Sequence, residues 1–151
     1  MPNAPPQKYV RYNASTCMLR PVVVSVEDDE GGYIVLRELL QEAYPDVQVE
    51  RACTGAEALA KLSTLAKDAT IQVRLVLLDF RLPGMTGFEV LTAIRDNESL
   101  RNVPIVILTG KAREAARVLC LEMGAQDYVE KPWDLHGLEE VLKTACARAG
   151  L

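Results

Sequence analysis

Histidine is nearly absent from this chain, whose 151 residues contain only one, His136. A single histidine cannot build a histidine-based metal site, which needs several such ligands. It lies in the segment Asp134-Leu135-His136-Gly137, where a helical pattern begins. We therefore interpret His136 as a solvated helix residue.

Paired cysteines are also missing, because the four cysteines are far apart and form no CxxC motif. Three of them lie in apolar or helical patterns, which favours buried, reduced thiols over disulfides or metal ligands. The residues concerned are Cys17, Cys53, Cys120 and Cys146. This cysteine usage fits a reducing cytoplasm.

Several other signals are absent. No apolar run has the length that a bilayer span requires, and the N-terminus lacks the apolar region of a signal peptide. Neither GxGxxG nor a phosphate-binding P-loop occurs, which argues against a nucleotide-binding domain. The formal net charge is −4, whereas nucleic acids attract strongly basic surfaces. We expect a cytoplasmic protein that binds neither DNA nor membrane.

The sequence contains a regular hydrophobic pattern over a length typical of one domain. Residues 1–20 carry three prolines among polar residues and show no period, so we predict a flexible N-terminal extension. Residues 21–151 are long enough for one domain with a substantial core, and 49% of the chain is apolar.

Within 21–151, five β-branched or apolar segments alternate with five segments in which apolar residues recur at helical spacing. The strands are predicted at 22–26, 47–52, 74–79, 103–109 and 127–130. Alternating strands and helices indicate an α/β fold with a parallel sheet covered on both faces. Right-handed crossovers favour the flavodoxin-like, doubly wound (βα)5 arrangement with strand order 2-1-3-4-5. The carboxyl ends of strands 1 and 3 then flank the position where ligands bind.

Charged and hydroxyl side chains occur at four of these strand ends. Strand 1 ends in Glu27–Asp29 and strand 3 in Asp79, while Thr109 and Lys131 close strands 4 and 5. Crowded carboxylates repel one another unless a cation or proton is present, and Mg²⁺ prefers oxygen ligands. Each residue alone is typical of a solvated loop, a turn or a surface charge. Their joint occurrence predicts a Mg²⁺ site that also holds a phosphoryl group.

The motifs resemble those of bacterial two-component response-regulator receivers of the single-domain, chemotaxis-regulator-like kind. The phosphoacceptor signature is matched by residues 79–91, DFRLPGMTGFEVL. The acidic pocket is matched by Val26–Asp29, the switch segment by Leu108–Gly110, and the lysine–proline segment by Tyr128–Pro132. The resemblance runs from about Pro21 to the C-terminus, with the motifs in the family's order.

The resemblance implies a role for each matching residue. Asp79 would take the phosphoryl group from a partner's phosphohistidine. Glu27 and Asp28 would bind Mg²⁺ together with Asp79 and the backbone carbonyl of Arg81. The role of Asp29 stays open.

Lys131 and Thr109 would contact the phosphoryl oxygens. Thr109 and Tyr128 would move together as the switch, changing the surface of helix 4, strand 5 and helix 5, which includes Trp133. Pro132 is expected to follow a cis peptide bond, as in the family.

Two basic residues occupy positions that affect the lifetime of the phosphorylated state in this family. These are Arg81, two residues after Asp79, and Lys111, two residues after Thr109, and they predict slow autodephosphorylation. Gly110 would leave open space through which small phosphodonors reach Asp79. The segment Glu30–Tyr33 is predicted as a loop, longer than in many receivers and similar to regulators linked to phytochrome-type kinases.

The expected partners are a histidine kinase or histidine phosphotransfer protein and an unidentified downstream protein. The chain would be a monomer or weak homodimer that signals by protein contact. It would be a signalling domain rather than an enzyme, catalysing only its own phosphorylation and slow dephosphorylation.

Three alternatives remain. A hydrolase of the haloacid-dehalogenase type also places an aspartate at a strand end, but it needs an acid where Arg81 stands. A receiver-like docking module that is never phosphorylated is the second alternative. The third is a receiver cut from a larger protein.

Overall fold

The computed structural model describes residues 19–151 and contains five strands and five helices within them. The strands are β1 (Arg20–Val26), β2 (Gln48–Ala52), β3 (Ile71–Asp79), β4 (Ile105–Thr109) and β5 (Asp127–Glu130). The helices are α1 (Glu30–Ala43), α2 (Gly55–Ala66), α3 (Gly87–Asp96), α4 (Glu114–Glu122) and α5 (Leu135–Arg148). Most of the predicted N-terminal extension, with Cys17, lies outside the described residues; Arg20, assigned to that extension, begins β1.

The strands form one parallel sheet in the order β2-β1-β3-β4-β5, which confirms the predicted flavodoxin-like topology. Side chains alternate between its two faces, so β1 sends Val22, Val24 and Val26 into one core and Val23 into the other. Helices α2, α3 and α4 cover the first face, and α1 and α5 cover the second. All strands run the same way, so their carboxyl ends meet along one edge of the sheet.

Several predicted boundaries differ from those in the structure, and two of the differences are substantial. Strand β3 begins at Ile71 rather than Arg74, because Ile71 and Gln72 pair with Arg20 and Pro21 of β1. The segment Glu30–Tyr33 is the first turn of α1 rather than a loop. Asp29 caps that turn, its carboxylate accepting the Gly32 N–H at 2.7 Å. The predicted strands at 47–52 and 103–109 are each slightly shorter in the structure.

The turn after β3 is fixed by close backbone packing. Gly87 begins α3 and donates its N–H to the Phe80 carbonyl at 2.8 Å. A Cβ at Gly87 would lie 2.7 Å from the Asp79 carbonyl oxygen, so only glycine allows this approach. Thr86 and Glu89 form a capping box at the same helix start. The loop that follows Asp79 is therefore anchored at both ends.

Three further expectations can be compared with the structure. The peptide bonds of the described residues are all trans, so the cis bond expected before Pro132 is wrong; trans is the lower-energy form even before proline. Cys53, Cys120 and Cys146 carry free thiols. Among residues 19–151, the helices are too short or too polar to span a bilayer.

Candidate functional site

Three carboxylates converge at the carboxyl end of the sheet. Glu27 and Asp28 follow β1 and Asp79 ends β3, and one oxygen from each lies within 4.8 Å of the others. β1 and β3 are neighbours in the sheet, with Val26 opposite Leu78, which brings their following residues together. The pairing of β1 with β3 thus unites acids that are about fifty residues apart in sequence.

Lys131 supplies a positive charge to this cluster. Its ammonium donates to Glu27 Oε1 at 3.0 Å and to Asp79 Oδ2 at 3.5 Å. Burial disfavours the charged amine, but the attraction of Asp79 and the hydrogen bond to Glu27 outweigh it and raise the pKa of Lys131. The backbone of Lys131 is held in place by its N–H, which donates to the Thr109 backbone carbonyl at 2.7 Å.

Glu27 is the most perturbed acid of the site. Burial, together with the neighbouring Asp79 carboxyl, raises the pKa of Glu27 from 4.5 to about 7, although Lys131 acts in the opposite direction. The side chain is 9% exposed, and its Oε2 atom has no hydrogen-bond partner among the described residues. An unpaired, buried carboxylate oxygen is costly unless a proton or cation satisfies it.

This arrangement fits a hard divalent cation. The donors are three carboxylates, one with a free buried oxygen, and such oxygen-rich sets suit Mg²⁺ with several waters. Lys131 pairs with Oε1 of Glu27 and does not bond to its Oε2. The residues present therefore fit a divalent cation at this edge of the sheet.

The two carboxylate oxygens of Asp79 face different donors. The Arg81 N–H donates to Asp79 Oδ1 at 3.1 Å, while Lys131 approaches the other oxygen. The side chain of Arg81 is exposed, as is that of Lys111. Apart from Gly110 and its two chain neighbours, no atom of residues 19–151 lies within 4 Å of the position that a Cβ on Gly110 would take, which agrees with the predicted open space.

Thr109 is buried and does not reach Asp79 in this structure. Its hydroxyl bonds within its own loop, donating to the Lys111 carbonyl at 3.3 Å and accepting the Lys111 N–H at 3.4 Å. These are long hydrogen bonds, so little holds the side chain in this rotamer. The structure places Thr109 near the acids but directs its hydroxyl elsewhere.

Tyr128 is buried beneath the start of α4. Its ring packs edge-on against Phe80, with ring centroids 6.0 Å apart, and its hydroxyl accepts the Arg113 N–H at 3.3 Å. The Arg117 guanidinium donates to the Tyr128 carbonyl at 2.9 Å. Tyr128 thus links the strand before Lys131 to the loop after Thr109.

Two polar contacts at this edge were not anticipated from the sequence. The Glu130 carboxylate accepts the Ala112 N–H at 2.8 Å, and the Arg51 guanidinium binds the backbone carbonyls of Glu27 and Asp28, each at 3.1 Å. Both join residues at least 18 positions apart and end on backbone atoms, so no local pattern signals them.

A groove of about 330 Å³ opens beside the acids between α1 and α5. Asp79 and Lys131 lie at one end, and Val35 and Leu138 line its apolar walls. Trp133 borders the groove and is wholly exposed. His136 is exposed in α5, as expected for a solvated helix residue.

Comparison with known proteins gives a consistent result. The family model described as "Response regulator receiver domain" matches residues 23–143. The phosphate regulon transcriptional regulatory protein PhoB of Rhizobium meliloti is 33% identical over 129 residues, which are 85% of this chain and 53% of PhoB. The chain spans about half or less of the length of the first curated relatives that it matches.

Two solved structures are similar over most of both chains. The Mn²⁺-bound form of response regulator Rcp1 has a TM-score of 0.70 and 27% identity, covering 82% of this chain and 89% of Rcp1. The phosphorylated cyanobacterial phytochrome response regulator RcpA has a TM-score of 0.72 and 26% identity, covering 83% of this chain and 90% of RcpA.

Proposed function

We propose that this chain, which belongs to the response regulator receiver domain family, accepts a phosphoryl group on Asp79 in a Mg²⁺-dependent reaction. The observation that carries this proposal is the convergence of Glu27, Asp28, Asp79 and Lys131 at one edge of the sheet. Receivers are signalling domains, so the phosphorylated form would act on other proteins.

The reaction we propose is an in-line transfer from a histidine. A carboxylate oxygen of Asp79 attacks the phosphorus of a partner's phosphohistidine, a P–O bond forms, and the P–N bond breaks with its electron pair leaving on the imidazole. The transition state is loose, with charge spread over the equatorial oxygens. Lys131 lies where its ammonium can neutralise part of that charge, and the Arg81 N–H holds the second Asp79 oxygen.

Glu27, Asp28, Asp79 and the backbone carbonyl of Arg81 would hold the magnesium ion. When bound, Mg²⁺ supplies positive charge to the phosphoryl oxygens and removes the repulsion between the carboxylates. The free Oε2 of Glu27 supports this assignment, and the related Rcp1 was solved with Mn²⁺ bound.

We further propose that Thr109 and Tyr128 form the switch. Thr109 would turn from its own loop toward the new phosphoryl oxygens, giving up two long hydrogen bonds, and with Lys131 would bind them. Tyr128 already lies beneath the same loop, so its contacts to Arg113 and Arg117 would carry the change to α4. The altered surface would include α4, β5 and α5.

The proposed partners are a histidine kinase or histidine phosphotransfer protein and a downstream target not yet identified. One relative is a hybrid signal transduction histidine kinase of Dictyostelium discoideum, in which a matching segment occurs within a much longer chain. We propose that this chain works in the cytoplasm as a monomer or weak homodimer, by protein contact rather than by binding DNA. Its exposed Arg81 and Lys111 would slow loss of the phosphoryl group.

The test is incubation with acetyl phosphate and Mg²⁺ followed by intact-mass measurement. We expect one phosphoryl adduct on the wild type and none on Asp79→Asn or on wild type with excess EDTA. An adduct of equal yield on Asp79→Asn would contradict the assignment of Asp79. A wild type without any adduct, from acetyl phosphate or a phosphorylated histidine phosphotransfer protein, would favour the docking module that acts without phosphorylation.

A further inference from the structure

The backbone that carries the two acids lies beyond the end of the sheet's hydrogen-bond ladder. Strand β1 ends at Val26, and the Glu27 N–H still donates to the Ala52 carbonyl of β2 at 2.9 Å. The next two carbonyls, of Glu27 and Asp28, have no strand opposite them. A half-buried carbonyl such as that of Glu27 needs another donor to hold its peptide in one orientation, whereas the Asp28 carbonyl is exposed.

Arg51 of β2 provides that donor. Its Nε–H donates to the Glu27 carbonyl and its Nη2–H to the Asp28 carbonyl, both at 3.1 Å. A planar guanidinium offers several donors in a rigid fork, so one side chain fixes two successive peptides. The side chain thereby extends the β1–β2 pairing past the end of the strand.

Arg51 is itself held on two sides. Its guanidinium carbon lies 5.4 Å from the ring centroid of Tyr33, a buried residue in the first turn of α1. Its backbone carbonyl accepts from the Lys61 ammonium at 2.6 Å. The same ring is approached from Arg37, whose guanidinium carbon lies 5.8 Å from the centroid. The fork is therefore positioned by packing before any ligand binds.

We infer that Arg51 is a positioning residue for the metal site, orienting Glu27 and Asp28 toward Asp79 through their backbone carbonyls. This inference rests on the proposed Mg²⁺ site. Arg51 is not a ligand, and its charge acts against a bound cation. Positioning and simple electrostatics therefore predict opposite results when the guanidinium is removed, which makes the inference testable.

The experiment measures metal affinity directly. Free Mn²⁺ is followed by electron paramagnetic resonance as protein is added, and Mg²⁺ is then measured by competition. Groups that orient metal ligands are worth roughly 10- to 100-fold in affinity. We expect Arg51→Met, which keeps an apolar stem of similar length, to weaken Mg²⁺ binding by about 10-fold. Arg51→Lys keeps the charge but loses the fork, so we expect an intermediate affinity.

Arg37→Met is the matched control. It removes a guanidinium beside the same Tyr33 ring, and this guanidinium makes no hydrogen bond to the acidic segment in the described structure. We expect its affinity to equal that of the wild type. Amide hydrogen exchange of residues 28–32 gives a second readout, which we expect to be faster in Arg51→Met and Arg51→Lys and unchanged in Arg37→Met.

Each outcome has a defined meaning. Unchanged or tighter Mg²⁺ binding in Arg51→Met, with folding verified by circular dichroism, would overturn the inference. If Arg51→Met does not fold, wild-type Mg²⁺ affinity and wild-type amide exchange in Arg51→Lys would overturn it instead. A wild type that binds neither metal would overturn the proposed site and this inference together. If the wild type binds Mg²⁺ and a folded Arg51→Met binds it equally tightly, the proposed metal site stands and only the positioning role of Arg51 is excluded.

Discussion

The two sides of the sheet's carboxyl-end edge are held in different ways. The acidic side consists of the segment Glu27–Asp29 and the end of β3. Its backbone is bound by the Arg51 fork and by the capped first turn of α1. The switch side consists of the loop 110–113, α4 and β5. Its helix α4 begins at Glu114, and the side chain of the N-cap residue Arg113 makes no capping hydrogen bond.

The switch side depends instead on contacts from a neighbouring strand. Glu130 and Tyr128 of β5 accept the N–H groups of Ala112 and Arg113. Helix α4 buries only Cys120 fully and leaves large apolar side chains exposed, among them Leu119. From this difference we propose that the acidic side is fixed before a ligand binds and that the switch side rearranges at low free-energy cost.

The largest expected difference is in packing. Leu91 of α3 is fully buried, whereas Leu119 of α4 is 51% exposed. We expect Leu91→Ala to lower the free energy of unfolding by about 2–5 kcal/mol, because it leaves a cavity. We expect Leu119→Ala to change it by no more than about 0.5 kcal/mol. Urea denaturation of both variants measures this, and equal losses would show that α4 is packed as firmly as α3.

The second prediction concerns the pH dependence of the metal-free acidic side. Since the folded protein raises the pKa of Glu27 to about 7, it holds this proton more tightly than the unfolded chain does. The resulting stabilisation is present in full below pH 4.5 and is lost as the pH rises through about 7. Over this whole pH interval the contribution is on the order of 3 kcal/mol.

Urea denaturation with EDTA at pH 6 and pH 8 tests this prediction. We expect the wild type to lose stability between the two values and Glu27→Gln, which cannot ionise, to lose less. Mg²⁺ should restore stability at pH 8 in the wild type alone. Identical pH profiles for the two proteins would mean that ionisation of Glu27 does not lower the free energy of unfolding. The pKa of Glu27 would then not be raised in the folded protein.

The third prediction compares one basic residue from each side. Arg81 follows the acidic side and Lys111 lies in the switch-side loop, and both side chains are exposed. If each holds phosphoryl oxygens or obstructs the attacking water, Arg81→Ala and Lys111→Ala should each speed decay of the phosphorylated protein about 5-fold, equivalent to ~1 kcal/mol. Decay is followed by intact mass after the phosphodonor is removed, with exposed Lys67→Ala as the control. Wild-type decay in both variants would exclude this account of the lifetime.

The fourth prediction concerns Glu130 and has a similar expected size. Removal of its hydrogen bond to Ala112 is worth about 1 kcal/mol, so Glu130→Ala should speed amide exchange at Ala112 about 5-fold. Glu130→Gln keeps an acceptor oxygen and should remain close to the wild type. Glu122→Ala, at the other end of α4, should have no effect at Ala112. Slow exchange in Glu130→Ala would show that the switch side is held by other contacts.

Much of the fold could be predicted because buried parallel strands carry a strong apolar signal. The segment 75–78 is fully buried and wholly apolar, and its position in the chain was correct. The start of β3 was missed because Gln72 and Arg74 interrupt the pattern; that part of the strand is defined by pairing with β1. Such pairing is a long-range property that local periodicity does not contain.

The two glycines of α1 show how a local signal can mislead. The segment Glu30–Tyr33 is predicted as a loop, and its two glycines are residues that disfavour a helix interior. A Cβ at Gly32 would lie 2.9 Å from Glu27 Oε1 and 3.0 Å from Asp29 Oδ2. Gly32 therefore makes room for two carboxylates above the helix start. The reason for this residue is visible only when β1 and α1 are seen together.

Local periodicity predicts the strands and the residue types at their ends, and the preference for right-handed crossovers leaves few possible strand orders. How those residues are held depends on tertiary packing. That packing directs the Thr109 hydroxyl into its own loop, leaves Glu27 Oε2 without a partner among residues 19–151, and places Arg51 on the backbone of the acids. Burial and hydrogen bonds to distant backbone atoms depend on the packed arrangement of several elements, and no single segment of the chain encodes them.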